Sequence, residues 1–167
     1  MSVRATNSIK MTIEFSNSAK QELQKMMGRY PTRQAALLPA LYLAQREFGF
    51  ISDEVVAYLS KTMELPKSRI FGVATFYTMF NKKPVGKYFI QVCGNISCAM
   101  LGADSLFDYL AQKLGIKEGE TSKDGRFTLC KVECLGACGE APMMQINDSY
   151  YGSLTKDKVN QILAGLK

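Results

Sequence analysis

The sequence Cys93-Gly-Asn-Ile-Ser-Cys98, followed after 35 residues by Cys134-Leu-Gly-Ala-Cys138, determines which fold and which site this chain can build. The protein contains no histidine. Soft thiolate ligands select zinc, copper(I) or iron–sulfur clusters, and a Rieske centre is excluded because it needs two histidines. The loose C-x4-C spacing favours a 2Fe–2S cluster over structural zinc, whose cysteine pairs are typically C-x2-C. Zinc and unligated cysteines remain as alternatives.

Both cysteine pairs follow apolar segments that we predict to be strands. Residues 88–92 lead into Cys93, and residues 127–133 lead into Cys134. An apolar stripe with helical spacing follows Cys98, which places this residue near a helix N-terminus. The helix dipole there stabilises a thiolate and an anionic cluster bound to it.

The order of elements in the C-terminal half is strand, helix, strand, two-stranded hairpin and helix. Gly115 ends the first helix, Asn147-Asp148 forms the hairpin turn, and Thr155 caps the last helix. This order predicts a thioredoxin-like α/β domain. A thioredoxin redox enzyme would have C-x-x-C at the first strand–helix junction, so dithiol–disulfide exchange is not expected here.

The N-terminal half has a helical pattern. A capping box at Ser18-x-x-Gln21 predicts the start of a first helix. A second helix is predicted over 32–48, where Pro39 marks either a kink or the true first turn. Ser52 caps a third helix. A fourth helix is predicted over 67–80, with a strand as the alternative because of the Val, Thr, Phe and Tyr content. This segment is apolar nearly all round, which predicts burial between the two halves of the chain.

We therefore predict an α+β protein in which a helical bundle precedes a thioredoxin-like domain that carries the cluster. Residues 1–17 are interpreted as an N-terminal arm, 18–85 as the helical domain and 86–167 as the thioredoxin-like 2Fe–2S domain. The boundary is placed in the turn-rich stretch 81–86.

Charge and hydropathy exclude several functions. The net charge of +6 lies entirely in residues 1–85, but the basic residues are scattered and only Lys82-Lys83 are adjacent, so no nucleic-acid partner is predicted. The longest apolar run, 35–44, is too short to cross a membrane. The start of the sequence lacks the apolar core of a secretory signal, and five cysteines cannot all pair, so a cytoplasmic location is predicted.

The sequence also lacks the motifs of most catalytic sites. It has no G-x-G-x-x-G or Walker loop, and without histidine it has none of the His-based catalytic sets. A cluster that carries single electrons is the chemistry that remains.

Three stretches resemble the thioredoxin-like 2Fe–2S subunit of respiratory complex I (NADH:quinone oxidoreductase). They are Asp124-x-x-Phe127-Thr128-x5-Cys134-Leu-Gly136-x-Cys138-x-x-Ala141-Pro142, Gly72-Val-Ala-Thr-Phe-Tyr-Thr-Met-Phe80 and Val92-Cys-Gly-Asn-Ile-Ser-Cys98. The resemblance extends from about residue 18 to 167.

The resemblance implies that Cys93, Cys98, Cys134 and Cys138 ligate one 2Fe–2S cluster, with Cys130 outside the ligand set. It implies an enzyme subunit that is not catalytic alone, in the peripheral arm of a membrane-associated complex, next to a flavoprotein subunit that binds FMN and NADH. Related subunits of NAD(P)-linked hydrogenases and formate dehydrogenases share the motif. The alternative is a protein of another functional class, a zinc-stabilised interaction module.

Overall fold

The computed structural model of the protein describes residues 13–166. The chain divides into two compact units, Met1–Pro84 and Val85–Lys167. No helix within residues 13–166 is long and apolar enough to cross a membrane.

The first unit is built from four α-helices in its described part. They are α1 (Asn17–Arg29), α2 (Leu37–Phe48), α3 (Asp53–Met63) and α4 (Lys67–Phe76). Each helix turns one stripe of apolar side chains towards a shared core, as expected for amphipathic helices of a bundle. The largest fully buried side chains of this core are Leu23, Leu37, Leu41, Leu43, Leu59, Met63, Ile70 and Phe80.

The helix starts agree with the sequence pattern at α3 and differ at α1. Ser52 caps α3 as predicted, with its side chain accepting a hydrogen bond from the Val55 N–H. The predicted cap at Ser18 is wrong, because Ser16 accepts from the Ala19 N–H and begins α1. Pro39 lies in the first turn of α2, where a proline needs no N–H partner, so the alternative of a kink is discarded.

Most of the predicted N-terminal arm, residues 1–12, lies outside the described residues. The adjoining part does not behave as an arm. Phe15 is only 3% exposed and stacks on Phe48, with its ring centroid 5.3 Å away, while Tyr58 packs edge-on at 5.1 Å. Phe15 therefore belongs to the helical core, and Ile13 packs against that core.

The fourth helix is shorter and more exposed than its composition predicts. It ends at Phe76, and the chain leaves the helix at Tyr77. Ile70 and Ala74 are buried, but Phe71 and Phe76 on other faces are exposed. The helical prediction is confirmed, and the prediction of burial on all sides is wrong.

The second unit has a four-stranded mixed sheet with three helices. Strands β1 (Tyr88–Cys93), β2 (Phe127–Val132), β3 (Met144–Ile146) and β4 (Ser149–Tyr151) lie in the order β2-β1-β3-β4. The central β1 runs parallel to β2 and antiparallel to β3. The helices are α5 (Ile96–Met100), α6 (Ala103–Leu114) and α7 (Lys156–Gly165). The predicted α+β class and thioredoxin-like order of elements are confirmed.

The turn of the β3–β4 hairpin is fixed to the start of β1 by one side chain. Asn147 Oδ1 accepts from the Phe89 N–H at 2.9 Å, and Asn147 Nδ2 donates to the Lys87 carbonyl at 3.0 Å. The Asn147 N–H also donates to the Phe89 carbonyl at 3.0 Å. Asn147 has a φ of 52°, a region that asparagine tolerates better than most residues.

We expect Asn147→Ala to destabilise the protein by about 1–2 kcal/mol, because it removes two side-chain hydrogen bonds and puts alanine at a positive φ that asparagine tolerates better. Asn147→Gly is the control, since glycine accepts this φ and loses only the side-chain bonds. Urea denaturation followed by circular dichroism measures both. Equal stability of Asn147→Ala and the unsubstituted protein would contradict this account.

Candidate iron–sulfur site

The four predicted ligands lie at the ends of two neighbouring strands or in the segments that follow them. Cys93 is the last residue of β1 and is paired with Val132 at the end of the neighbouring parallel strand β2. Cys98 is the third residue of α5, which Asn95 caps. Cys134 follows β2 closely, and Cys138 begins one turn of 3-10 helix, Cys138–Glu140. Carboxyl ends of parallel strands share a sheet edge, so the two loops meet there.

The thiols of the two loops influence one another electrostatically. Cys98 and Cys134 both act to lower the pKa of Cys93. The charge of Cys138 acts on Cys98. Cys93 of the first pair is therefore coupled to Cys134 of the second, and Cys98 of the first pair to Cys138 of the second. Within residues 13–166 no three His, Cys, Asp or Glu side chains meet at the spacing of a site for one metal ion.

Backbone N–H groups point at the sulfur atoms. The backbone N–H groups of Asn95 and Leu135 hydrogen-bond to the Cys93 sulfur, and that of Met143 to the Cys98 sulfur. The Gly136 N–H donates to Cys134 Sγ at 3.3 Å. Such inward N–H groups suit an anionic cluster with four thiolates. The donor set of this site therefore fits a 2Fe–2S cluster.

The two thiols of the first pair have opposite pKa shifts. Burial by itself raises the pKa of Cys93, but hydrogen bonds from the backbone of Asn95 and Leu135 and from neighbouring thiols outweigh it, so the pKa lies below its usual range. Burial and the neighbouring Cys93 raise the pKa of Cys98. One proton is thus easily lost from the pair, and the second is held by the negative charge left behind.

Glycine has a specific role at two points of the site. Gly136 has a φ of 74°, which lets the short loop curl between Cys134 and Cys138. At Gly94 an added Cβ would stand 2.6 Å from Lys131 Cε, and the Gly94 N–H donates to the Val132 carbonyl at 2.8 Å. The close approach at Gly94 is therefore to the Lys131 stem. An added Cβ at Gly139 would have no heavy atom within 4 Å.

The backbone donors were not identifiable from the sequence, because a backbone N–H has no residue-type signature. The sequence also did not identify the Lys131 side chain beside Gly94, whose ammonium pairs with Asp104 of α6. The capping preference of Asn95 before a short helix is the one signal that points to this loop geometry.

The two cysteine pairs differ in exposure. Cys93 and Cys98 are 3% and 2% exposed, whereas Cys134 and Cys138 are exposed. In the cluster-free protein we expect a maleimide to label Cys134 and Cys138 at least about tenfold faster than Cys93 and Cys98, because a thiol must reach the reagent to react. Peptide mapping at successive times measures the order. Faster labelling of the buried pair would contradict the burial described here.

The fifth cysteine lies apart from this cluster of thiols. Cys130 is in β2, opposite Gln91 of β1, and is partly buried. Burial and the charge of Glu118 raise its pKa, and the nearby backbone groups are those of Gly119 and Lys131. The structure thus gives Cys130 surroundings different from those of the other four.

Comparisons with known proteins match almost the whole chain. The E subunit of NADH-quinone oxidoreductase from Rickettsia prowazekii is 40% identical over 166 residues, which cover 98% of this chain and 92% of the relative. The E subunit from Rickettsia conorii is 44% identical over 147 residues, or 86% of this chain and 88% of the relative. The E subunit 2 from Rhizobium meliloti is 38% identical over 148 residues, or 89% and 88%.

A solved structure shares the fold within a longer polypeptide. It is the NAD+-reducing NiFe-hydrogenase in the H2-reduced state, with a TM-score of 0.68 and 25% identity over 78% of this chain. The match spans 22% of that hydrogenase chain.

The family described as thioredoxin-like 2Fe-2S ferredoxin matches residues 23–167. The resemblance seen in the sequence is confirmed, and the chain belongs to the thioredoxin-like 2Fe–2S ferredoxin family.

Proposed function

We propose that this chain is the electron-transfer subunit of an NADH:quinone oxidoreductase and holds one 2Fe–2S cluster through Cys93, Cys98, Cys134 and Cys138. The observation that supports the ligand assignment is that the cysteine loops follow the adjacent, parallel strands β1 and β2, with the Gly136 N–H donating to Cys134 Sγ. The cofactor follows from the family, and the host complex from relatives at 38–44% identity.

When bound, such a cluster supplies one-electron transfer. The chain's own residues determine its surroundings. Burial of Cys93 and Cys98 keeps water from one side. The N–H groups of Asn95, Leu135 and Met143 stabilise negative charge on sulfur, which favours the reduced state of any anionic group held there.

The partner that exchanges electrons is, in this proposal, a flavoprotein subunit that carries FMN and binds NADH. The sequence supports this division because it has no dinucleotide or Walker motif of its own. The complex then places this subunit in a cytoplasmic peripheral arm. We assign residues 18–85 as the helical domain and 86–167 as the cluster domain, one residue from the division between the two compact units.

Anaerobically purified protein is expected to be coloured and to contain two irons and two sulfides per chain, with an EPR signal after reduction. A colourless protein with one zinc would overturn the proposal in favour of a zinc-stabilised module.

We expect the isolated chain to leave NADH unoxidised, and the chain mixed with its flavoprotein to have its cluster reduced by NADH. Steady NADH–ferricyanide activity of flavin-free chain alone would contradict this assignment of roles.

A second host is supported by the structural match. The related fold in an NAD+-reducing hydrogenase suggests that this chain could be the equivalent subunit of a hydrogenase. The family resemblance suggests a formate dehydrogenase as a further host of the same kind. Copurification of the complex from cells distinguishes them, because quinone reductase, hydrogenase and formate dehydrogenase activities are separately measurable.

A further inference from the structure

The turn of 3-10 helix that begins at Cys138 is held by the segment that follows β4. The Ser153 N–H donates to the Glu140 carbonyl at 2.5 Å, and the Leu154 N–H donates to the Pro142 carbonyl at 3.0 Å. No residue of the 3-10 turn is buried. Backbone hydrogen bonds to the neighbouring segment, and not burial of its own side chains, therefore fix this turn.

The first residue of that segment, Gly152, is buried and lies against Glu140. A Cβ added at Gly152 would overlap Glu140 Cβ, and it would stand 2.5 Å from Glu140 Oε2 and 2.9 Å from Glu140 O. Rotation of the Glu140 side chain moves Oε2 away but moves neither Cβ nor the carbonyl oxygen. A larger residue at this position must therefore displace the backbone of the cysteine turn.

Helix α7 holds Gly152 from the other side. Lys158 Nζ donates to the Gly152 carbonyl at 2.6 Å. A hydrogen bond from a charged donor is stronger than one between neutral groups, so Gly152 cannot retreat from Glu140 without losing a favourable contact. The contacts thus run from α7 through Gly152 to Glu140, which shares its turn with Cys138.

We propose that Gly152 is a positioning residue for Cys138, and that it acts through Glu140 on the place and direction of the Cys138 thiolate. This rests on the proposed function, because that function makes Cys138 a ligand of a 2Fe–2S cluster. Gly152 supplies no ligand atom. Groups that orient a ligand from outside the ligand set typically change metal affinity by roughly 10- to 100-fold when they are altered.

The first test is Gly152→Ala in the cluster-loaded protein. This variant is expected to release its iron to an excess of chelator at least about tenfold faster than the unsubstituted protein, with shifted g values in the EPR spectrum of the reduced state. Complete loss of the cluster from a folded variant is the extreme form of the same result. Adding Glu140→Gly removes Cβ and Oε2 from the path of the new methyl group, so the double variant is expected to recover part of both properties relative to Glu140→Gly alone.

The matched control is Gly86→Ala. It is the same substitution against nearby backbone atoms, but it precedes β1 and so lies at the opposite end of this strand from Cys93. The g values of Gly86→Ala are expected to equal those of the unsubstituted protein. If Gly86→Ala shifted them as Gly152→Ala does, the signal would follow general stability and the proposal would be overturned.

A pair of lysine variants tests the same contact without steric conflict. Lys158→Met removes the hydrogen bond to the Gly152 carbonyl, whereas Lys156→Met makes the same change on the same helix at an ammonium that lies over the Tyr109 ring. Both lysines are exposed, so both variants are expected to fold. Release of iron is expected to be at least about threefold faster from Lys158→Met than from Lys156→Met.

The results separate this proposal from the proposed function. If the unsubstituted chain holds no 2Fe–2S cluster, both fall. If it holds one, and a folded Gly152→Ala keeps the original g values and release rate, Gly152 does not position Cys138 and the proposed function stands. Circular dichroism of the cluster-free proteins shows whether Gly152→Ala folds. If it does not, the lysine pair decides, and equal release rates from Lys158→Met and Lys156→Met overturn the proposal.

Discussion

Cys134→Ser and Cys138→Ser are each expected to lose the 2Fe–2S cluster or to shift its EPR signal, while Cys130→Ser keeps a full complement of iron and sulfide. The reason is the register of the sheet. Cys93 is paired with Val132, and Cys130 lies two residues earlier along β2, about 7 Å further from the edge where the ligand loops meet. The neighbours that act on the Cys130 thiol also differ from those of the site.

Iron and sulfide analysis, the visible spectrum and EPR of the reduced protein measure these three variants side by side. Cys130→Ser is the matched control, because it makes the same chemical change on the same segment. Thermal unfolding of the cluster-free proteins shows whether a lost cluster reflects lost ligation or lost folding. Loss of the cluster in Cys130→Ser together with its retention in Cys134→Ser would show that the ligand assignment is wrong.

Gly86→Ala is expected to destabilise the protein by about 3 kcal/mol, at the upper end for overpacking. An added Cβ would stand 2.9 Å from Arg126 C, Arg126 O and Phe127 N. These are backbone atoms at the start of β2, which cannot move aside as a flexible side chain does. The Gly86 N–H also donates to the buried Thr128 Oγ1 at 2.6 Å, so moving the chain away would cost that bond as well.

The control for this prediction is Gly28→Ala. Gly28 lies in α1 with open space where the Cβ would be, so alanine is expected to stabilise the protein by up to about 1 kcal/mol. Urea unfolding of the cluster-loaded protein measures both changes under the same conditions. A Gly86→Ala protein as stable as the unsubstituted one would show that the chain before β1 and the start of β2 do not approach as closely as described.

Local patterns predicted most of the secondary structure. The apolar segments before Cys93 and Cys134 are strands, and Thr155 caps α7. The stripe after Cys98 is helical and ends at Gly115, but it is divided into α5 and α6 at Leu101 and Gly102. These features depend on neighbours a few residues away, which the sequence shows directly. The same holds for the exclusion of histidine-based chemistry, because a residue type that is absent cannot be supplied by folding.

Predictions from the sequence were wrong where distant contacts decide. Ser16 and Ser18 both suit a helix cap. Ser16 is the cap in the structure, where the preceding residue, Phe15, packs on Phe48 and Tyr58. The composition of α4 predicted burial because hydrophobicity does not say how many neighbours are available to cover a helix. The structure covers the side with Ile70 and Ala74 and leaves Phe71 and Phe76 in solvent.

The sequence by itself determined that no imidazole can bind a metal here, and its four paired cysteines favour thiolate ligands. Tertiary structure decided how those thiols are arranged, because only the parallel pairing of β1 with β2 brings loops 35 residues apart to one edge of the sheet. It also decided the surroundings of the sulfur atoms. Their hydrogen bonds come from backbone N–H groups of Asn95, Leu135 and Met143, and every residue except proline has such a group, so its direction is fixed by the fold and not by residue type.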